Sequence, residues 1–292
     1  MLLSALKNFV YRVRTIEERC EKMQEALGRI EGRQLGDLPA GDIRGAEFRV
    51  FSQWGEDGIL QHLLRRIGVS RRIFVEFGVE NYTESNTRFL LVNDNWAGLV
   101  IDGSSKHVDF IRSDDLYWRH NLKAEAAFIT RESINDLLRR NGISGEIGLL
   151  SIDIDGNDYW VWEAIDVIVP SVVVVEYNAR FGPERAVTVP YNPGFVRTIA
   201  HHSNIYYGAS LAALCLLGKR KGYSFVGCNT AGNNAFFVRT ELRPADLPEL
   251  ASVEGFVRSQ VRESRDAHGA LAFLTEEQEA GILDKLPLVE VF

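Results

Sequence analysis

Two short stretches carry the residues that could do chemistry. Leu149–Asn157 reads LLSIDIDGN and Ser171–Asn178 reads SVVVVEYN. Each is an apolar run that ends on acids or amides, as a buried parallel strand does where its carboxyl end emerges into a site. Asp153 and Asp155 share one parity, and Glu176 and Asn178 share one on the second run. If the strands are neighbours, four oxygen-bearing side chains converge at one sheet edge, where open α/β sheets bind ligands. Such a cluster can hold a hard cation, exchange protons with a bound hydroxyl, or attack phosphorus through an aspartate.

That edge needs a sheet behind it. Arg72–Gly78 (RIFVEFG) and Gly98–Asp102 (GLVID) read as the first two buried strands, and Ala126–Thr130 as a shorter third. Ile147–Asp153 is the fourth and Val172–Glu176 the fifth. Helices are expected at Thr83–Asp94, capped by Thr83 or Ser85, and at Lys106–Arg112, Arg131–Asn141 and Asp158–Ile165. Upstream, Leu60, Leu63, Leu64 and Ile67 form the stripe of a helix opened by Glu56 and Asp57, where negative charge is favoured. Ser210–Lys221 is a further helix. Tyr223–Cys228 and Ala235–Thr240 form a hairpin whose NTAGNN turn supplies positive φ. Alternating strands and helices predict a parallel sheet, and the hairpin predicts an antiparallel edge.

The segment 179–209 has no clear period and is too long for an idle connection. With Phe181, Tyr191, Phe195, Tyr206 and Tyr207 it reads as a lid or substrate wall. Residues 241–292 read as a helical extension packed against the sheet.

A net charge of -7 and a pI near 5.5 exclude a phosphate-backbone binder, so no nucleic-acid partner is expected. Cys20, Cys215 and Cys228 are too dispersed for a metal knuckle and fit a reducing compartment. No run approaches the ~20 apolar residues of a membrane span. Lys7, Arg12 and Arg14 break up the N-terminus too early for a signal-peptide core, so a cytoplasmic location is expected. The GxxxxGK and GxGxxG fingerprints are absent, which disfavours nucleotide hydrolysis and nicotinamide use.

Residues 1–31 carry a heptad: Leu2, Leu6, Phe9, Val13, Ile16, Cys20, Met23, Leu27 and Ile30 alternate steps of four and three. That is a coiled-coil seam, and with Leu2 at d it predicts a homo-oligomer through this helix. Residues 32–45 (GRQLGDLPAGDIRG), with four glycines and a proline, read as a linker to a main domain spanning 46–292.

Several strings, in this order, resemble the FkbM-like S-adenosylmethionine-dependent methyltransferases: FSQWGEDGIL, FVEFGVENYTESNTRFLL, LSIDIDGNDYWVWEAI, VVVVEYN, YYGASLAAL and GNNAFFVR. The resemblance covers roughly residues 50–240. It implies a Rossmann-like class I methyltransferase sheet and methyl transfer to a hydroxyl of a saccharide-like or other small-molecule acceptor. It also implies a cofactor seated against Glu76 and Gly78, with Asp102 on its ribose and Gln53 and Asn86 nearby. Val79 and Glu80 stand where many relatives have further glycines.

For the acid cluster the alternatives stay open. By similarity to metal-dependent O-methyltransferases, Asp155, Glu176 and Asn178 hold Mg²⁺ or a similar cation, with Asp158 in the position of the base. Without a metal, Asp153 and Asp155 position the cofactor amine and the acceptor, and Glu176 is the base. DIDG is also similar to the nucleophile motif of haloacid-dehalogenase-type phosphatases, with Asp153 attacking, although no acidic pair follows it. A non-catalytic binding protein on the same sheet is the remaining alternative.

Overall fold

The computed structural model describes residues 2–292. Seven strands form one sheet: β1 (Ile73–Phe77), β2 (Ala97–Asp102), β3 (Leu122–Ala126), β4 (Gly145–Ile152), β5 (Ile168–Glu176), β6 (Tyr223–Cys228) and β7 (Asn234–Arg239). Their spatial order is β3-β2-β1-β4-β5-β7-β6. The first five are parallel, and β7 runs antiparallel between β5 and β6. This is the mostly parallel Rossmann-like sheet expected from the alternation of strands and helices. The strand order reverses between β1 and β4, so a crevice opens at their carboxyl ends.

Side-chain parity divides the core into two layers. Val75, Phe77, Leu99, Ile101, Ile152, Val173 and Val175 face α6 (Ile134–Arg140), α7 (Asp158–Ala164) and α9 (Leu211–Arg220). Phe74, Val100, Leu149, Val172 and Val174 face α2 (Glu56–Ile67), α3 (Arg88–Asp94) and α4 (Ser105–Ser113), and Leu116 of the short α5 (Asp115–Arg119) joins the same layer. Val172–Val175 are fully buried because helices cover both faces, which is why that run shows no alternation. Each such side chain contributes roughly 1.5–3 kcal/mol by leaving water. Trp162 belongs to the first layer, packed on Tyr223 and Phe237.

Four segments depart from the sequence expectation. The third strand is Leu122–Ala126, not Ala126–Thr130. It lies at the sheet edge with Leu122 and Ala124 inward and Lys123 outward, an alternating strand more polar than the run that follows it. The helix expected from Thr83 begins only at Arg88, because Ser85–Thr87 turn their hydroxyls and amides onto Glu76. The stretch 32–45 is packed rather than slack: Leu35, Ala40 and Ile43 are buried, and the first helix, α1 (Leu2–Gln34), runs into it. Residues 241–292 have only short helices, at Ser252–Gly255 and Glu276–Leu283, and are otherwise mostly irregular.

The segment 179–209 and the C-terminal residues share a small core of Phe181, Val187, Val189, Ile205, Tyr206 and Leu283. A two-strand ladder, Val187–Thr188 against Val289–Glu290, joins them. This unit stands over the carboxyl edge of the sheet. No helix among the described residues is long and apolar enough to cross a membrane.

Candidate active site

A cleft of about 770 Å³ lies at the carboxyl ends of β1, β2, β4 and β5, within the size range of cofactor and ligand sites. Gln53, Glu76, Gly78, Asn86, Asp102, Asp153, Asp155 and Glu176 all line it. Asn178 and Asp158 do not.

Its floor begins at the turn after β1. Gly78 has φ +71°, and a β-carbon there would overlap the carbonyl oxygen of Asp153. Only glycine allows this approach, which presses the β1 turn against the β4 turn. Glu76 is buried and accepts from Ser85 Oγ at 2.8 Å and from the amides of Asn86 and Thr87 at 2.9 and 3.1 Å. The Thr87 hydroxyl also donates to it. Burial raises the Glu76 pKa, against these bonds, which favour the anion. Glu76 therefore acts chiefly as the brace that shapes the wall around Asn86. Asn86 in turn donates to Ser151 Oγ at 3.1 Å. Gln53 and Trp54 are set by a similar device: Asp57, buried with its pKa pushed up to about 6, accepts from the amides of Val50, Phe51 and Ser52.

Asp102 ends β2 on the opposite wall. Its Oδ2 accepts from the Glu80 amide at 2.8 Å; its Oδ1 accepts from the Ser104 amide at 2.8 Å and meets His107 Nδ1 at 3.1 Å. Glu80 itself is held at φ +47°, in the left-handed region that favours glycine. Beside Asp102 the loop after β3 presents Phe128, 52% exposed, as an aromatic face on the cleft. The apolar run that looked like a strand is this wall.

The acid cluster is set by register. Ile152 pairs with Val175, so one step further Asp153 stands beside Glu176. Carboxylate oxygens of Asp153, Asp155 and Glu176 all lie within 4.8 Å of one another. Glu176 Oε2 is buried and has no hydrogen-bond partner. Burial first, then the neighbouring Asp155 and Asp158 charges, raises the Asp153 pKa well above the carboxylate range. Burial, then Asp153 and Asp155, does the same to Glu176. Asp155 sits at φ +56° and is ion-paired to Arg197 at 2.7 Å.

Two expected assignments need correction. Asn178 was expected as a cation ligand, but it is fully buried and committed elsewhere. Its Nδ2 donates to the carbonyls of Ile205 and Tyr207 at 2.8 and 3.0 Å, and its Oδ1 accepts from the Arg180 amide. It anchors the lid. Asp158 was expected as the base, but its carboxylate closes the DIDG turn, accepting from the amides of Ile154 and Gly156 at 2.8 and 2.9 Å. Burial pushes its pKa up to about 6, yet it faces the turn and not the cleft. The three-carboxylate set is Asp153, Asp155 and Glu176.

The lid supplies what sequence reasoning missed. Arg197, in α8 (Arg197–Ala200), pairs with Asp155 and Glu263, donates through Nε to the Asn204 carbonyl at 3.0 Å, and lies 3.6 Å over the Tyr207 ring. Burial opposes its charge, but Tyr207, Glu176, Glu263 and Asp155 outweigh that and raise its pKa. Phe195 fills the space over Gly156, where a β-carbon would collide with its ring. Asn233, Asn234, Ser259 and Glu263 complete this end. No periodicity marks Arg197 or Glu263; an arginine inside an aromatic, aperiodic segment was the one available signal. His201 and His202 stack on each other at 4.2 Å, off the cleft.

No protein-family model matches the chain, and no curated protein matches it. Solved structures do. The SAH-bound N-terminal domain of EvdMO1 is 9% identical, with 73% of this chain and 94% of that chain covered and a TM-score of 0.40. The O-methyltransferase from Bacillus cereus in complex with SAH is 15% identical, with 74% and 90% covered and a TM-score of 0.39. The CurJ carbon methyltransferase is 9% identical, with 63% and 52% covered and a TM-score of 0.41. Likeness at this level does not decide what the cleft binds, which rests on its own residues.

Proposed function

We propose that this chain is an S-adenosylmethionine-dependent O-methyltransferase acting on a hydroxyl of a saccharide-like acceptor. The observation that carries the reading is the charge of the cleft: among the described residues eight carboxyl groups line it against one guanidinium, that of Arg197, and acid stays in excess even with Asp153 and Glu176 protonated. Such a wall repels the phosphates of nucleotides and dinucleotides and suits a ligand of net positive charge. S-adenosylmethionine is such a ligand, and when bound it offers an electrophilic methyl group on a sulfonium. Asp102 ends β2 where a dinucleotide-type site places its ribose acid. Gly78 brings bare backbone to the opposite end, and Phe128 offers a face for a planar base.

The acceptor end supplies the base. Glu176, with a free oxygen and a pKa raised above the carboxylate range, is when ionised a stronger base toward the acceptor's hydroxyl proton than an ordinary carboxylate. The acceptor oxygen then forms its bond to the methyl carbon, and the electron pair of the breaking carbon–sulfur bond stays on sulfur. Asp153 stands alongside to orient the same hydroxyl. Phe195 and the side chain of Asn233 line the same end and offer an apolar face and a polar group to a polyhydroxylated ring. The FkbM-like strings support the same acceptor class.

A second reading adds a hard cation such as Mg²⁺. The donors fit it: three carboxylates within 4.8 Å, one with an unpartnered oxygen. Asp153, Asp155 and Glu176 would hold the ion, which would supply Lewis acidity to the acceptor oxygen.

Calorimetry with S-adenosylhomocysteine tests the reading: heat is expected, and heat with NAD instead would reverse it. Transfer of labelled methyl to a saccharide panel is the second arm. Cofactor binding with no transfer to any hydroxyl would make the chain a binding protein on this sheet. Self-association through α1 is a separate proposal, independent of methyl transfer.

A further inference from the structure

The face of α1 that touches the rest of the chain is not the heptad face. Gly28 lies so close to Val50 and Phe89 that a β-carbon would collide with both, and Gly32 abuts Arg65. Gln24 donates to the Val50 carbonyl at 2.8 Å, and Glu21 pairs with Arg88 at 2.7 Å. With Leu6 at position a, these four residues fall at b, e and f. The glycine notches seat the helix, and the seam points away.

The seam is therefore bare. Leu6, Phe9, Ile16, Met23, Leu27 and Ile30 are each 50–64% exposed. An apolar stripe that keeps the heptad step from Leu6 to Ile30 and is exposed at most of its positions is the form of half a coiled coil. The flanking charges decide the orientation. In a parallel pair each Arg12, at g, meets the partner's Glu17, at the following e. Overlapped end to end in antiparallel fashion, Arg19 would face the partner's Arg19, and Glu17 the partner's Glu17, both repulsive. Met23, Leu27 and Ile30 stay clear even where the opposite face is seated, so pairing can run the whole length.

We infer that α1 joins a second copy of this chain in a parallel, in-register coiled coil, with both cofactor domains at the same end. The occupant is thus another α1, not a segment of the same chain. The inference stands apart from the methyl-transfer reading, since neither measurement below involves the cofactor.

Cys20 lies at an a position and is exposed, whereas Cys215 is half-buried and Cys228 buried. In register, Cys20 faces the partner's Cys20; in the antiparallel overlap it would face the partner's Ile16. Oxidation of the full chain with diamide should give a covalent dimer on a non-reducing gel, lost in Cys20→Ser. Ile16→Cys in the Cys20→Ser background should restore it at the neighbouring d layer. Light scattering should find at least twice the 32.9 kDa of one chain, falling to one chain in the Leu6→Glu, Ile16→Glu double variant. Both substituted residues are exposed and outside the seated face, so the domain should melt as before. A wild-type mass of one chain, or a mass unchanged by the double variant, overturns the inference. So does an associated protein that forms neither cross-link.

Discussion

Gly78 and Asp153 meet backbone to backbone, with no room for a side chain between the β1 turn and the Asp153 carbonyl. The contact makes one continuous wall out of two turns, and both the proposed cofactor seat and the acid cluster hang on it. Gly78→Ala must move one turn and strain a backbone at φ +71°, a cost of about 1–3 kcal/mol. The expected result is a melting temperature lowered by several degrees and S-adenosylhomocysteine affinity at least tenfold weaker by calorimetry. Unchanged affinity would mean that the cofactor does not sit against this wall.

Asp102 gathers two amides and His107 at the end of β2. Asp102→Ala removes the ribose acceptor and also frees the Glu80 and Ser104 amides. Hydrogen bonds to a charged group are worth about 1.5–3 kcal/mol, so a tenfold to hundredfold loss of cofactor affinity is expected. His107, partly exposed, touches only the outer side of Asp102. His107→Ala should change affinity by no more than a few-fold; equal losses in both variants would place the ligand on the histidine.

The sheet was legible because its strands are apolar on both faces and end on acids. Val172–Val175 could be little else, and parity alone brought Asp153 and Glu176 to the same edge. What escaped was whatever depends on where a carboxylate's partners come from. Asp158 and Asn178 have the residue types of a base and a ligand, but local amides and distant carbonyls claim them. No spacing encodes that choice. Ser85–Thr87 look like a helix start, and only the buried charge of Glu76 explains why they remain a loop. Arg197 reaches the cluster from a segment without period, through contacts to Tyr207 and Glu263 that only the fold brings near.

Glu176→Gln separates chemistry from binding. Turnover should fall by 10²–10⁴-fold, the usual worth of a general base, while S-adenosylhomocysteine affinity changes little. The wild-type rate should rise with pH through a value above the ordinary carboxylate range, since the base works only when ionised. Stability should move the other way. Glu176 binds its proton more tightly folded than unfolded, so its contribution is whole below the ordinary carboxylate range. That contribution is lost as pH rises through the raised folded value. The variant, which cannot ionise, should therefore melt above the wild type at alkaline pH. A variant that loses stability at every pH would show a structural role instead.

Chelation decides between the two forms of the acid cluster. If a hard cation bridges Asp153, Asp155 and Glu176, EDTA should abolish turnover and Mg²⁺ should restore it. Asp155→Ala should then raise the Mg²⁺ concentration needed, because it removes one of three ligands and frees Arg197 beside the other two. Asn178→Ala should leave that requirement untouched, since its side chain holds the lid carbonyls of Ile205 and Tyr207. Its effect should be a stability loss of about 1–3 kcal/mol from buried groups left unpaired. Turnover undiminished in EDTA would remove the cation and leave Glu176 to take the proton unaided. In that case Arg197 is, among the described residues, the only positive side chain lining the cleft that can offset the charge of Asp155. Arg197→Gln should then lower turnover in chelator, and Arg197→Lys should recover part of it.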